Sequence, residues 1–374
     1  MTRRRELGST MAELMVAMLL VAVTSAFAFG IYARSAASFR AQSRVSEAQQ
    51  TLRSAAYILT RDLRQAGNLV LTFRTNLDGA GTTNYGALSI TDGGSGPDQI
   101  RILYADQSAF AHVKSGTTFS TGVVSVDSTT GFAVGNIVVA AVTVLPMVGQ
   151  LPDYNGRGDG CLLKVTGVVA GTSLQVASSG TPYNSALNAH CVDVQAAITA
   201  NRPVVVARAV LVAYRVKSGD ARGVLQMSPT GGMSADDWVD MAIGVTDLQF
   251  AVRVYEADSS TDPDGDTLTK YNWYSGANMY SALDPTVLPV PPARPIPLQV
   301  RLSILAKTTS DVPGPTRSSI PPFLDPAMPT LYNDVGNRAA IALPVSDTSS
   351  PYYGNFLYRW SSVIIDLRNL GTNT

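Results

Sequence analysis

MAELMVAMLLVAVTSAFAFGIYA, residues 11–33, decides how the rest of the chain is read. Glu13, at its start, is the only charged side chain in it. As a helix it is about 35 Å long, enough to cross a hydrocarbon layer of roughly 30 Å. Arg3, Arg4 and Arg5 come just before it and hold the N-terminus in the cytoplasm, which places everything after Ala33 outside. A secretory signal would put a small-residue cleavage site after its apolar core. Here the small residue, Gly8, precedes the run, so a cut there removes the arginines and keeps the anchor.

No proline interrupts residues 10–66, and the apolar run passes into an amphipathic pattern. Val45, Ala48, Leu52, Ala55, Ala56, Leu59, Leu63 and Ala66 recur three and four apart, with Arg44, Glu47, Gln50, Arg53, Arg61 and Arg64 on other sides. Gly67-Asn68 supplies the stop. The sequence therefore predicts one rod of about 85 Å, membrane-spanning below and docked on a head above. Gly30 marks a bend or a close helix contact within it.

Residues 8–18, GSTMAELMVAM, resemble the class III signal of type IV prepilins, in which a short basic leader ends in Gly and Glu stands fifth in the mature chain. The resemblance implies cleavage between Gly8 and Ser9 by a prepilin peptidase, N-methylation of Ser9, and assembly of subunits through their helices. Ser9 stands where the family usually begins its mature chain with Phe. Glu13 then becomes an assembly residue: a carboxylate in a bilayer costs about 3 kcal/mol and wants a partner, and a neighbour's freed N-terminal amine is one. The alternative is that Glu13 snorkels to the cytoplasmic interface.

Beyond Gly67 the helical period gives way to short Val-, Ile- and Leu-rich runs at 99–104, 123–126, 136–145, 162–169, 173–176, 204–216, 245–254, 298–306 and 363–367, separated by turn residues. The expected fold class is α+β, a long N-terminal helix, a pilin helix by the resemblance, packed on a mainly antiparallel β head with long loops. Its parts are a leader (1–8), the helix (9–67, with 9–33 transmembrane) and the head (68–374), with a small β subdomain inserted at 119–177. Residues 72–97, rich in Gly, Thr, Asn and Asp, and 285–351, which hold most of the chain's 21 prolines, read as loops or covering arms.

Further stretches resemble PilW-type minor pilins: LTRDLRQAG (59–67), DQIRILY (98–104), GVTDLQF (244–250) and the closing YRWSSVIIDLRNL (358–370). That resemblance implies a minor pilin in a priming or tip complex, with other minor pilins, the major pilin and a tip adhesin as partners. The subunit would sit in the inner membrane with its head periplasmic, and at the pilus tip after assembly. A large J-like pseudopilin of a type II secretion system fits the same leader and helix. A membrane-anchored surface-binding protein whose leader is never cut also fits.

Cys161 and Cys191 lie in the extracytoplasmic head, where oxidation is permitted, so a disulfide is expected. Free thiols, or a metal held with His112 and His190, are the alternatives, and the spacing matches no finger pattern. Asp258, Asp262, Asp264 and Asp266 crowd a short loop as calcium ligands do, but Pro263 and the missing Glu at the twelfth position favour a solvated turn. With 28 basic and 28 acidic residues no nucleic-acid partner is expected. No nucleophile elbow, phosphate loop or His-Glu-x-x-His is present, so no enzyme, cofactor or metal is expected.

Overall fold

The computed structural model describes residues 11–67, 87–93, 96–142, 160–177, 189–232, 235–255, 271–275, 296–308, 319–320, 341–342 and 358–367. Helix α1 (Met11–Gln65) runs unbroken for 55 residues. Ala48, Leu52, Ala55, Leu59, Asp62 and Leu63 are buried, and their spacing of three and four gathers them into one stripe. Gly67, at φ 77°, ends the helix in the left-handed conformation that favours glycine. Its N–H donates to Leu103 O at 3.0 Å, so the chain leaves the helix already tied to a strand.

The head is antiparallel. Its strands are β1 (Leu88–Thr91), β2 (Gln99–His112), β3 (Val123–Ser125), β4 (Ile137–Val142), β5 (Gly160–Val169), β6 (Ser173–Val176), β7 (Val204–Val216), β8 (Val224–Ser228), β9 (Val239–Ile243), β10 (Val245–Tyr255), β11 (Tyr271–Ser275), β12 (Ile296–Lys307), β13 (Ser319–Ile320), β14 (Ile341–Ala342) and β15 (Tyr358–Asp366). One sheet runs β1-β2-β7-β4-β5-β6-β3, with β8 and β9 continuing from β7. A second runs β11-β10-β12-β15, and among the described residues β13 pairs only with β14. Strand β7 is the hub: β2 pairs with it from Ile100↔Tyr214 to His112↔Val205. On its other side β4 takes residues 204–208 and β8 takes 213–216. Buried on both faces, β7 reads as a nearly continuous apolar run, VVVARAVLVAYRV.

Two apolar cores follow. The first lies between α1 and both sheets and includes Leu59, Leu63, Ile100, Ile102, Tyr214, Leu248, Phe250, Val300, Leu302 and Ile365. Helix α1 packs chiefly on β12 and β15, with β2 and β9 also in contact. The second is formed by β3–β6 and α2 (Ala189–Thr199), with Phe119, Val124, Leu163, Val165, Leu174, Val194 and Ile198. Val204 and Val206 of β7 belong to this second core, while Tyr214 and Val216 belong to the first, so one strand joins the two.

Several elements have no counterpart in the sequence reading. It places no helix beyond residue 67, yet α2 is present. Its sequence AHCVDVQAAIT buries only Val194, Ala197 and Ile198 among its described side chains, too few positions to declare a period. Strand β1 falls in the stretch read as loop, and β8, β9, β11, β13 and β14 are short and mixed in character. Strand β2 extends past residue 104 to His112 by an irregularity between Asp106 and Phe110. Strand β12 admits Pro297 opposite Val254, at a register shift where the ladder is already broken. Residues 68–86, 256–270 and most of 285–351 lie outside the described residues, and with them the Asp258 to Asp266 loop.

Candidate assembly interface

Two halves of α1 have opposite surroundings. Every residue from Met11 to Ser35 is exposed, including Phe27, Phe29, Ile31 and Tyr32 at 70% or more. The helix is long and apolar enough to cross a membrane, and none of its most apolar window is buried in the head. Glu13 sits in the first turn, where the helix dipole favours a carboxylate. From Ala48 onward the helix is docked. A stretch of about 55 Å therefore projects from the head, with its large apolar side chains uncovered.

The docked half is fixed by a buried polar contact as well as by packing. Asp62 is 1% exposed although it lies in the apolar stripe beside Leu59 and Leu63. Its Oδ2 accepts from the Tyr214 hydroxyl at 2.5 Å, and its Oδ1 accepts from Arg61 Nε at 2.9 Å. Tyr214, on β7, is itself fully buried. Burial, followed by the hydrogen bond to Asp62 and its negative charge, pushes the Tyr214 phenol above its ordinary value, so the hydroxyl keeps its proton and donates. Burial and Asp62 likewise raise Tyr104. The stretch 59–67 thus carries a lock: Asp62 and Tyr214 hold helix to sheet, while Arg61 stays largely in water.

A second lock joins the two sheets. Asp98, 2% exposed just before β2, accepts at Oδ1 from Gly93 N–H (3.0 Å) and at Oδ2 from Phe250 N–H (2.9 Å). Its own N–H donates to Leu248 O at 2.8 Å. Burial drives its carboxyl up to about 7, against the pull of the two N–H donors, and Asp92 and Asp247 add to the rise. Nearby, Gln249 Nε2 donates to Gly96 O at 3.0 Å and to Asp247 Oδ1 at 3.1 Å. At the start of the same segment Gly244 has φ 97°, and a Cβ there would meet Lys307 O at 2.8 Å. The stretches 98–104 and 244–250 therefore meet in space.

Of the site residues named from sequence, Gly8 and Ser9 lie outside the described residues. Cys161 is buried on β5 in the second core. Cys191 belongs to α2, which packs on β5, although its side chain, like that of His190, lies outside the described residues. His112 is exposed and meets Phe110 edge to face at 5.3 Å. Among the described residues no group of three or more His, Cys, Asp or Glu side chains is placed to hold a metal ion. Sequence reasoning did not single out the partnership of Asp62 with Tyr214; the signal available was a carboxylate set inside an apolar helical stripe.

No protein-family model matches the chain, and no curated protein matches it. Among solved structures it is similar to a type IV-like pilin from Thermus thermophilus, with 12% identity and a TM-score of 0.31, over 86% of this chain and 97% of that one.

Proposed function

We propose that the protein is a PilW-type minor pilin that works in a priming or tip complex of a type IV pilus. The observation that carries the reading is the division of α1: a projecting half with its apolar surface exposed, bearing the GSTMAE signal, and a second half locked to a β head. Cleavage between Gly8 and Ser9 removes Arg3, Arg4 and Arg5 and frees the Ser9 amine, which is then methylated. In the membrane, residues 14–33 face lipid. In the assembled filament they face the helices of neighbouring subunits, and Glu13 pairs with a neighbour's N-terminal amine. The head is carried rigidly because Asp62, Leu59 and Leu63 fix it to the moving helix.

In this reading the head is periplasmic before assembly and displayed at the tip afterwards, where it contacts other minor pilins and an adhesin. Within residues 119–177, strands β3 to β6 are the inserted unit; it joins β7 through β4 and shares its core with α2. A bridge between Cys161 and Cys191 clips β5 to α2 and stabilises the head by about 3 to 4 kcal/mol in the chain-entropy model. The packing of α2 on β5 supports it.

Glu13→Ala tests the mechanism. The expected result is a head that melts at the same temperature, intact membrane insertion, and loss of co-purification with partner pilins. Normal pilus numbers in that variant would overturn the assembly role of Glu13. Mass spectrometry of assembled material should find a methylated Ser9 at the N-terminus; an intact Met1 there refutes the pilin reading.

A further inference from the structure

Tyr32 and Phe39 stand 73% and 72% exposed on α1, each next to or near an exposed arginine, Arg34 and Arg40. Their position along the rod is set by the charges around them. Residues 14–33 carry none, and at 1.5 Å per residue they span about 30 Å, the thickness of the hydrocarbon layer. With Glu13 at one edge, Arg34 emerges at the other edge, on the head's side. Arg40 follows about 9 Å further on, within a long side chain's reach of a headgroup layer that extends roughly 5 to 7 Å beyond the hydrocarbon.

The electrostatics are one-sided. Between Glu13 and Glu47 there is no acidic residue, while Arg34, Arg40 and the half-buried Arg44 are all cationic. Arg34 and Arg40 are both exposed and lie about 120° apart around the helix axis, so they do not converge on one small anion in solution. A membrane brings phosphates to this surface at the required depth, and aromatic rings favour that same interfacial layer.

We propose that residues 32–40 are a docking site for anionic phospholipid headgroups on the head's side of the membrane, with Arg34 and Arg40 on the phosphates and Tyr32 and Phe39 seated in the interfacial layer. The site fixes the depth of the subunit before assembly. It rests on the reading of α1 as a membrane-spanning helix. Arg53 lies about 29 Å beyond Arg34, well past a screening length of roughly 8 to 10 Å, and is not part of the site.

The test uses the full chain in nanodiscs of phosphatidylcholine with a minor share of spin-labelled phosphatidylglycerol, reading the association of the labelled lipid against labelled phosphatidylcholine. The wild type should prefer phosphatidylglycerol. Arg34→Gln and Arg40→Gln should each lower that preference by up to about fivefold at low salt, Arg53→Gln should leave it unchanged, and the head's melting temperature should be the same in all three. A preference retained in the Arg34→Gln/Arg40→Gln double variant overturns the proposal, as does one abolished equally by Arg53→Gln. Loss of the preference on adding millimolar inorganic phosphate overturns it in favour of a free-phosphate site. A chain that co-migrates with the discs but shows no preference sinks the headgroup site alone; a chain that does not co-migrate refutes the membrane-spanning reading.

Discussion

Tyr214→Phe removes one oxygen from the interior and little else. Tyr214 is fully buried and its hydroxyl gives Asp62 Oδ2 its 2.5 Å hydrogen bond. Phenylalanine keeps the ring's packing against the first core, so the cost is electrostatic. A hydrogen bond to a charged group contributes about 1.5 to 3 kcal/mol, and a buried carboxylate oxygen left unsatisfied costs at the upper end of that range or beyond. Arg61 remains on Oδ1, but its side chain is 56% exposed and offsets little. The variant should therefore lose about 3 kcal/mol, roughly a hundredfold in the folding equilibrium. Urea unfolding of a form beginning at Arg34 measures it; the described residues it omits, 11–33, are all exposed. Asp62→Asn should be costly alone, and the double variant Asp62→Leu/Tyr214→Phe should recover much of the loss because no buried charge is then left without a donor. A loss below about 0.5 kcal/mol for Tyr214→Phe, or strict additivity in the Asp62→Asn/Tyr214→Phe pair, would refute the lock.

Other consequences follow from the same head. The carboxyl of Asp98, at about 7 when folded and 3.8 ordinarily, stabilises fully below about pH 4 and loses that contribution as pH rises through 7. Asp98→Asn should flatten a stability change on the order of 4 kcal/mol over that window, read by melting against pH. Leu59→Ala, at a fully buried contact of α1, should cost about 2 to 5 kcal/mol in urea unfolding. Gly244→Ala should destabilise by more than about 1 kcal/mol, since both its φ and the Lys307 carbonyl exclude a Cβ. On the proposed Cys161–Cys191 bridge, Cys161→Ser should lower stability by about 2 to 5 kcal/mol under oxidising conditions and leave Cys191 open to thiol labelling without reductant.

The body of helix α1 and its C-terminal end were legible in the sequence, because the signal is long, periodic and ends on a glycine whose left-handed φ the structure bears out. Strands β6 and β7 were equally plain, the latter because both its faces are buried and its apolar run has no gaps. What escaped was short or set by tertiary contact. Helix α2 buries three described side chains against β4 and β5, and β9 leaves Val239, Met241 and Ile243 partly in water. Glu13, five positions after Gly8, is proposed as an assembly residue on sequence alone, whereas the pairing of Asp62 with Tyr214 links positions 152 apart, which no local pattern announces.

A rod that projects from one side and is bonded along its length on the other is a mechanical coupler. Between Met11 and Gln65 there is no proline to act as a hinge and the helix continues unbroken through Gly30, so a pull on the projecting end travels down the helix axis. It enters the head as shear spread over the contacts from Ala48 to Ala66, with Asp62 and Tyr214 near the far end of the lap joint. Shear loads those contacts together, where a peeling force would break them one at a time. The head follows the helix wherever the helix is drawn.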